Sequence, residues 1–191
     1  MGTLSIEEKR KVRKPLLWVG IASIIMTFAG LTSGYIVSRT ALLAENSWLI
    51  FELPVHFYWS TAAIVLSSIT MAWAKSSAKK DQSKNVQVAL LLTLALGLLF
   101  TWFQYLGSQD LVLRNLNFVG VNTAVSWVYV IAGLHWLHII SGIIVLIVTF
   151  LRSLNGAYSS ADHHGLDISA IYWHFLDLLW LFLFLFLVFI R

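Results

Sequence analysis

Four ionisable side chains lie inside long apolar stretches of this chain. His135 and His138 are three residues apart in one stretch, and His174 and Asp177 are three apart in another. Residues three apart share one face of an α-helix, so each pair can present two polar groups to the same neighbour. Ionisable groups deep in an apolar helix are costly, and they are therefore candidate functional residues.

These residue types admit two kinds of chemistry. Neutral imidazole is a common ligand of iron, copper and zinc, so the histidines could hold haem or a metal. Bis-histidine haem ligation needs imidazoles from two helices at equal depth, and only a loose His138 and His174 combination meets that requirement. The alternative is that His135, His138, His174 and Asp177 form interhelical hydrogen bonds, worth about 0.6 to 2 kcal/mol each. The spacing favours this structural role, with no catalytic, cofactor-binding or metal-binding residue in the chain.

Depth along the helices suggests a partner for the buried carboxyl group. Measured from the membrane surface on the side of the amino terminus, His138 lies about 18 Å deep and Asp177 about 13 Å deep. We therefore predict that Asp177 hydrogen-bonds an imidazole of the fourth span, with His174 as a second partner. The remaining acidic residues fall in tails, loops or span ends, so this chain alone does not form a proton path across a membrane.

His163 and His164 form a second group of titratable residues, in a polar segment before the last span. Two adjacent loop histidines do not complete a metal coordination shell, so we expect a solvated pair. Such a pair could collect protons if it lies beside a proton entrance. The complete absence of cysteine excludes disulfides, thiolate metal sites and iron–sulfur clusters.

The composition indicates an integral membrane protein that positions these groups. Hydrophobic residues make up 59% of the chain, charged residues 12%, and the mean hydropathy is +0.80. Five stretches are long enough to cross a bilayer as helices. We predict one all-α, five-helix membrane domain over residues 1–191, with spans at about 16–38, 53–74, 86–107, 125–150 and 168–190.

Basic residues predict the orientation of this bundle. Ten of the 13 lysines and arginines precede the first span, separate the second from the third, or follow the fourth. The positive-inside rule then places the amino terminus in the cytoplasm and the carboxyl terminus outside. Topology accounts for the net charge of +4, so nucleic acid is not an expected partner. The sequence predicts a polar, solvated inner loop at residues 74–84. The first span carries no evident signal-peptide cleavage pattern, so we expect this helix to remain in the mature protein.

Two segments carry a family resemblance. Residues 133–142 read Gly-Leu-His-Trp-Leu-His-Ile-Ile-Ser-Gly, and residues 172–182 read Tyr-Trp-His-Phe-Leu-Asp-Leu-Leu-Trp-Leu-Phe. Together with the five spans, they resemble subunit III of the haem–copper terminal oxidases, the cytochrome c oxidase subunit 3 family. The resemblance extends from about Leu17 to Phe186 and includes segments 17–23 and 35–39.

The resemblance implies a non-catalytic subunit in the bacterial cell (inner) membrane, as part of an aerobic respiratory oxidase. Its partners would be the catalytic subunit I, other oxidase subunits and membrane lipid, with haem and copper held by partner subunits and bound phospholipid as an accompaniment. Its role would be to support stability and proton uptake. Cytochrome c is the favoured electron donor; a quinol oxidase and the related nitric oxide reductase accessory subunit stay open, as does a haem-binding membrane anchor.

The sequence departs from the family pattern in the first span. Many relatives carry a buried Glu after Ala-Ser there, whereas this chain has Ile24 after Ala22 and Ser23. A role for that carboxylate therefore does not transfer. The chain also resembles the five-helix form, which lacks the two additional helices that enclose lipid in larger relatives. Gln104 and Gln109 lie near a stretch where relatives often carry a Gln and an acidic residue.

Overall fold

The computed structural model describes residues 6–118, 122–160 and 162–190, with side chains described from residue 12 onward. Five α-helices occupy this part of the chain, and each is long and apolar enough to cross a membrane. The predicted all-α, five-span fold is thereby confirmed. Lys9, Arg10, Lys11 and Arg191, which contribute to the orientation argument, have side chains outside the described residues. The helices are α1 (Ile6–Ala44), α2 (Val55–Lys79), α3 (Ser83–Leu113), α4 (Thr123–Leu154) and α5 (His164–Phe189).

The helices are longer than the apolar spans that reveal them. α2 continues to Lys79 and α3 begins at Ser83, so most of the segment predicted as a solvated loop is helical. Ala74, Ser77 and Ala78 are buried. Hydropathy detects only the part of a helix that suits hydrocarbon, whereas backbone hydrogen bonding continues through polar residues beyond it. The resulting connection, residues 80–82, makes α2 and α3 a tight antiparallel pair.

The neighbours of α5 define the centre of the bundle. Within the described residues, the backbone of α5 lies close to those of α1, α2 and α4, and its tryptophan side chains reach α3, which itself packs against α2 and α4. α1 lies at the side and contacts α4 and α5. The largest fully buried side chains include Trp173 and Trp180 of α5 and Phe100 of α3. A bundle of this kind gives α5 protein contacts on most of its circumference.

Side chains of single loop residues join the connections at each end of the bundle. At one end, Asn122 Nδ2 donates to the carbonyl oxygen of Ser47 at 2.7 Å, and Asn122 Oδ1 accepts from the amide of Ala124 at 2.9 Å. At the other end, the carboxylate of Asp81 accepts from the amide and the hydroxyl of Ser160, both at 2.6 Å. These two hydrogen bonds lower the pKa of Asp81. The α1–α2 and α3–α4 connections thus lie at one end of the bundle, and the α2–α3 and α4–α5 connections lie at the other. Successive helices therefore run in opposite directions.

Candidate functional site

His135 is enclosed by aromatic rings. It is 0% exposed, and neither ring nitrogen has a hydrogen-bond partner among the described residues. Its ring centroid lies 5.1 Å from that of Trp180, 6.0 Å from Phe100 and 6.3 Å from Phe28. The rings of Phe100 and Phe28 meet the imidazole edge to face, a geometry in which an N–H group can point at an aromatic face. The interhelical hydrogen bond expected for His135 is not formed, because aromatic rings occupy its surroundings.

His138 hydrogen-bonds within its own helix. Its Nδ1 lies 2.7 Å from the carbonyl oxygen of Leu134, one turn earlier on α4. The ring is half-buried, and its centroid is 5.7 Å from that of Phe28 on α1. The expected interhelical hydrogen bond is therefore wrong for this residue as well.

His174 makes the interhelical hydrogen bond of the predicted kind, but with α2. Its Nδ1 lies 2.6 Å from the hydroxyl oxygen of Ser68. The imidazole is half-buried, as is Ser68. A serine contributes little to hydropathy, so no sequence pattern favours this partner over the histidines of α4.

Asp177 is buried without a hydrogen-bond partner. It is 5% exposed, and neither carboxyl oxygen has a partner among the described residues. The predicted bond to an imidazole of α4 is not formed, because His138 bonds Leu134 and His135 stacks on Trp180. Depth along a helix fixes the height of a residue but not the direction of its side chain around the axis. The Ser68 hydroxyl lies beside the carboxyl group, although it bonds His174 instead.

A line of polar contacts joins α5 to α2, and we call this interface the α2/α5 seam. Trp180 Nε1 donates to Thr61 Oγ1 at 2.9 Å, and Trp173 Nε1 donates to Ser67 Oγ at 3.0 Å. The contact between Ser68 and His174 belongs to the same seam. Indole N–H groups in an apolar bundle need an acceptor, and the hydroxyls of α2 supply it.

At the end of the seam near residues 80–82, Lys75 Nζ lies 3.0 Å from Asp167 Oδ1. His163, at the start of α5, has Nδ1 3.2 Å from the carbonyl oxygen of Ser159 and Nε2 3.8 Å from Asp167 Oδ2. His164 is the first residue of α5, and its Nε2 is buried without a partner among the described residues. The two histidines are half-buried at a helix start, so the expectation of a freely solvated loop pair is wrong.

Within the described ranges, no group of three or more His, Cys, Asp or Glu side chains could hold a metal ion. Gln104 is buried and donates from Nε2 to Ser60 Oγ at 3.0 Å, whereas Gln109 is exposed. The Gln104 hydrogen bond joins α3 to α2. The chemistry open to the seam is hydrogen bonding and proton transfer.

Ile24 of α1 stands where many relatives carry a buried Glu, and the structure shows what surrounds this position. Ile24 is partly buried at the edge of the core. Phe28, one turn later, is the α1 residue whose ring meets both His135 and His138. An aromatic ring therefore lies where α1 approaches the two imidazoles of α4, and α1 carries no acidic residue between positions 12 and 44, the part of the helix whose side chains are described.

Comparison with known proteins places this bundle in a family. The family model described as "Cytochrome c oxidase subunit III" matches residues 23–190. The cytochrome c oxidase subunit 3 of Gadus morhua is 35% identical over 135 residues, which cover 71% of this chain and 49% of the relative. That of Loxodonta africana is 34% identical over 126 residues, covering 66% and 47%. This chain thus spans about half the length of these curated relatives. The resemblance seen in segments 133–142 and 172–182 is confirmed, and the chain belongs to the cytochrome c oxidase subunit III family.

Proposed function

We propose that this chain is the non-catalytic subunit III of a bacterial aerobic haem–copper oxidase of the cytochrome c oxidase type. It packs against catalytic subunit I in the cell membrane and supports the stability and proton uptake of that subunit. Family membership supports this assignment. The observation that carries the non-catalytic role is that each buried or half-buried imidazole already has protein neighbours. His138 bonds a backbone carbonyl oxygen of α4, His174 bonds the Ser68 hydroxyl, and His135 is surrounded by aromatic rings. Haem and copper then reside in the partner subunits.

The proposed orientation places the connections 80–82 and 155–163 in the cytoplasm. Lysines 75, 79, 80 and 84 and Arg152 gather at this end of the bundle. Positive charge there agrees with the positive-inside rule. The ends joined by Asn122 then face the outside.

The contribution to proton uptake is proposed for the same cytoplasmic end. His163, Asp167 and Lys75 form a connected group of titratable side chains there, and His164 follows His163 directly. Histidine changes protonation near neutral pH, so such a group can take up protons from the cytoplasm and pass them along a surface. Its effect depends on its lying beside the proton entrance of subunit I.

The test compares the purified oxidase with and without this subunit. We expect full haem and copper content and normal initial activity in both, with slower proton uptake and faster loss of activity during turnover when the subunit is missing. Complete loss of activity in a metal-replete complex would show that the chain contributes directly to the chemistry. His163→Gln tests the surface group, and His56→Gln, at the opposite end, is its matched control.

A further inference from the structure

A carboxyl group with both oxygens unpartnered is costly inside an apolar bundle. Asp177 is 5% exposed on α5, and neither of its carboxyl oxygens has a hydrogen-bond partner among the described residues. A charged carboxylate without a partner costs far more in such surroundings than the neutral acid. Asp177 therefore has the environment of a residue that holds a proton rather than a negative charge.

Two further groups connect this acid to a more accessible place. The Ser68 hydroxyl lies beside the carboxyl group and contacts His174 Nδ1 at 2.6 Å. His174 is half-buried, so part of its ring lies at the outer surface of the α2/α5 seam. A hydroxyl donates one hydrogen bond while accepting others, so Ser68 can link the imidazole to the acid through a small rotation.

We propose that Asp177, Ser68 and His174 form a proton-exchange site that loads and unloads through the half-buried imidazole of His174 at the outer surface of the α2/α5 seam. In the tautomer with hydrogen on Nδ1, a proton binds His174 Nε2 while the Nδ1 proton passes to the Ser68 oxygen. As it accepts that proton, the Ser68 hydroxyl donates its own proton to the Asp177 carboxylate in the same step. One proton moves inward, no electrons are transferred, and both intermediate groups return to neutrality.

Other titratable residues lie on the helices that pack against α5 near this site. α2 brings Lys75, whose partner Asp167 lies on α5, and α4 brings His135 and His138. α1 presents apolar side chains, Thr32 and Ser33 to a different face of α5, around Phe175 and Leu178. His135 and His138 make their contacts with aromatic rings and the α4 backbone. Ser68 is thus the hydroxyl that connects the acid to an imidazole.

This inference rests on the proposed role in proton uptake, and it assigns that role to a particular acid. Its test is infrared spectroscopy of the intact oxidase complex in lipid bilayers, with exchange of water for deuterium oxide. We expect a carboxylic acid C=O band that Asp177→Asn removes. Ser68→Ala should retain the band but slow its shift on deuteration by about tenfold, the factor for a barrier raised by roughly one hydrogen bond.

Ser67→Ala is the matched control, because Ser67 is the adjacent residue and its hydroxyl bonds the Trp173 indole instead. It should exchange at the wild-type rate. A spectrum unchanged by Asp177→Asn, or equal exchange rates in Ser68→Ala and wild type, would overturn the proposal, as would equal slowing in both serine variants. If Asp177→Asn prevents assembly, the smaller change Asp177→Glu assigns the band by shifting it.

The same measurements separate this inference from the proposed function. Slower proton uptake on removal of the subunit, combined with unchanged exchange in Ser68→Ala, would refute the site and leave the function standing. Unchanged uptake on removal, combined with the expected exchange data, would refute the function while the acid and its connection remain.

Discussion

Trp173 of α5 lies directly against the backbone of Gly97 on α3. A Cβ atom added at Gly97 would stand 2.8 Å from Cη2 of the indole, closer than ordinary van der Waals contact. The opposite side of the same ring approaches Gly142 of α4, where an added Cβ would lie 3.2 Å from Cε3. With its N–H on Ser67, this one ring contacts three other helices. The bundle is therefore closely packed around Trp173.

Gly97→Ala should destabilise the protein by about 1–3 kcal/mol, because the added methyl group has to displace a fully buried ring. Thermal unfolding of the purified chain in lipid or detergent measures the loss. Gly133→Ala is the control, since an added Cβ there meets nothing within 4 Å. Equal stability of the two variants would show that the Trp173 ring can move to make room for a side chain at Gly97.

His135→Phe should be tolerated, because the imidazole has aromatic neighbours and no hydrogen bond to lose among the described residues. We expect an unfolding temperature close to wild type. His174→Phe should lower it, since that change leaves the Ser68 hydroxyl without its partner, at a cost of about 0.6–1.7 kcal/mol for a hydrogen bond in a membrane bundle. The reverse order of the two variants would contradict this assignment of roles.

The purified chain should contain no stoichiometric haem, copper or zinc. The described side chains offer no ligand cluster, and cysteine is absent from the whole sequence. Metal analysis and a reduced-minus-oxidised optical spectrum provide the measurement. A Soret band that stays with this chain after separation from its partners would instead favour a haem-binding membrane anchor.

The contact between Asp81 and Ser160 should weaken only in acid. Hydrogen bonds from Ser160 hold the pKa of Asp81 below its unfolded value, which is about 3.9. The stabilisation is fully present above the unfolded pKa and is lost as pH falls through the lower, folded pKa. Hydrogen exchange of the Ser160 amide should therefore show constant protection, relative to its intrinsic rate, from pH 7 to 5 and decreasing protection below about pH 4. Asp81→Asn should remove this pH dependence; an unchanged profile in that variant would exclude Asp81 as its cause.

Hydropathy was sufficient to predict five helices because each contains an apolar run of membrane length. It did not predict the ends at Lys79 and Ser83, since those residues lie in polar helical turns that a bilayer does not require. Counting residues along the helices predicts comparable depths for Asp177 and His138, but Asp177 lies beside Ser68 of α2, and His138 bonds the carbonyl oxygen of Leu134 instead. Ser68 went unselected because a hydroxyl in an apolar helix usually bonds its own backbone and leaves no pattern in the sequence.

The packing of α1 has a consequence for biogenesis. Within the described residues, α1 contacts α4 and α5, two helices that are synthesised after α2 and α3. Until α4 and α5 emerge from the ribosome, α1 lacks its partner helices within this chain, while α2 and α3 can already associate as a hairpin. A nascent chain arrested after α3 should hold that hairpin with α1 still mobile. Closure of the bundle then becomes a late event in assembly, set by the arrival of α5 and not by the insertion of α1.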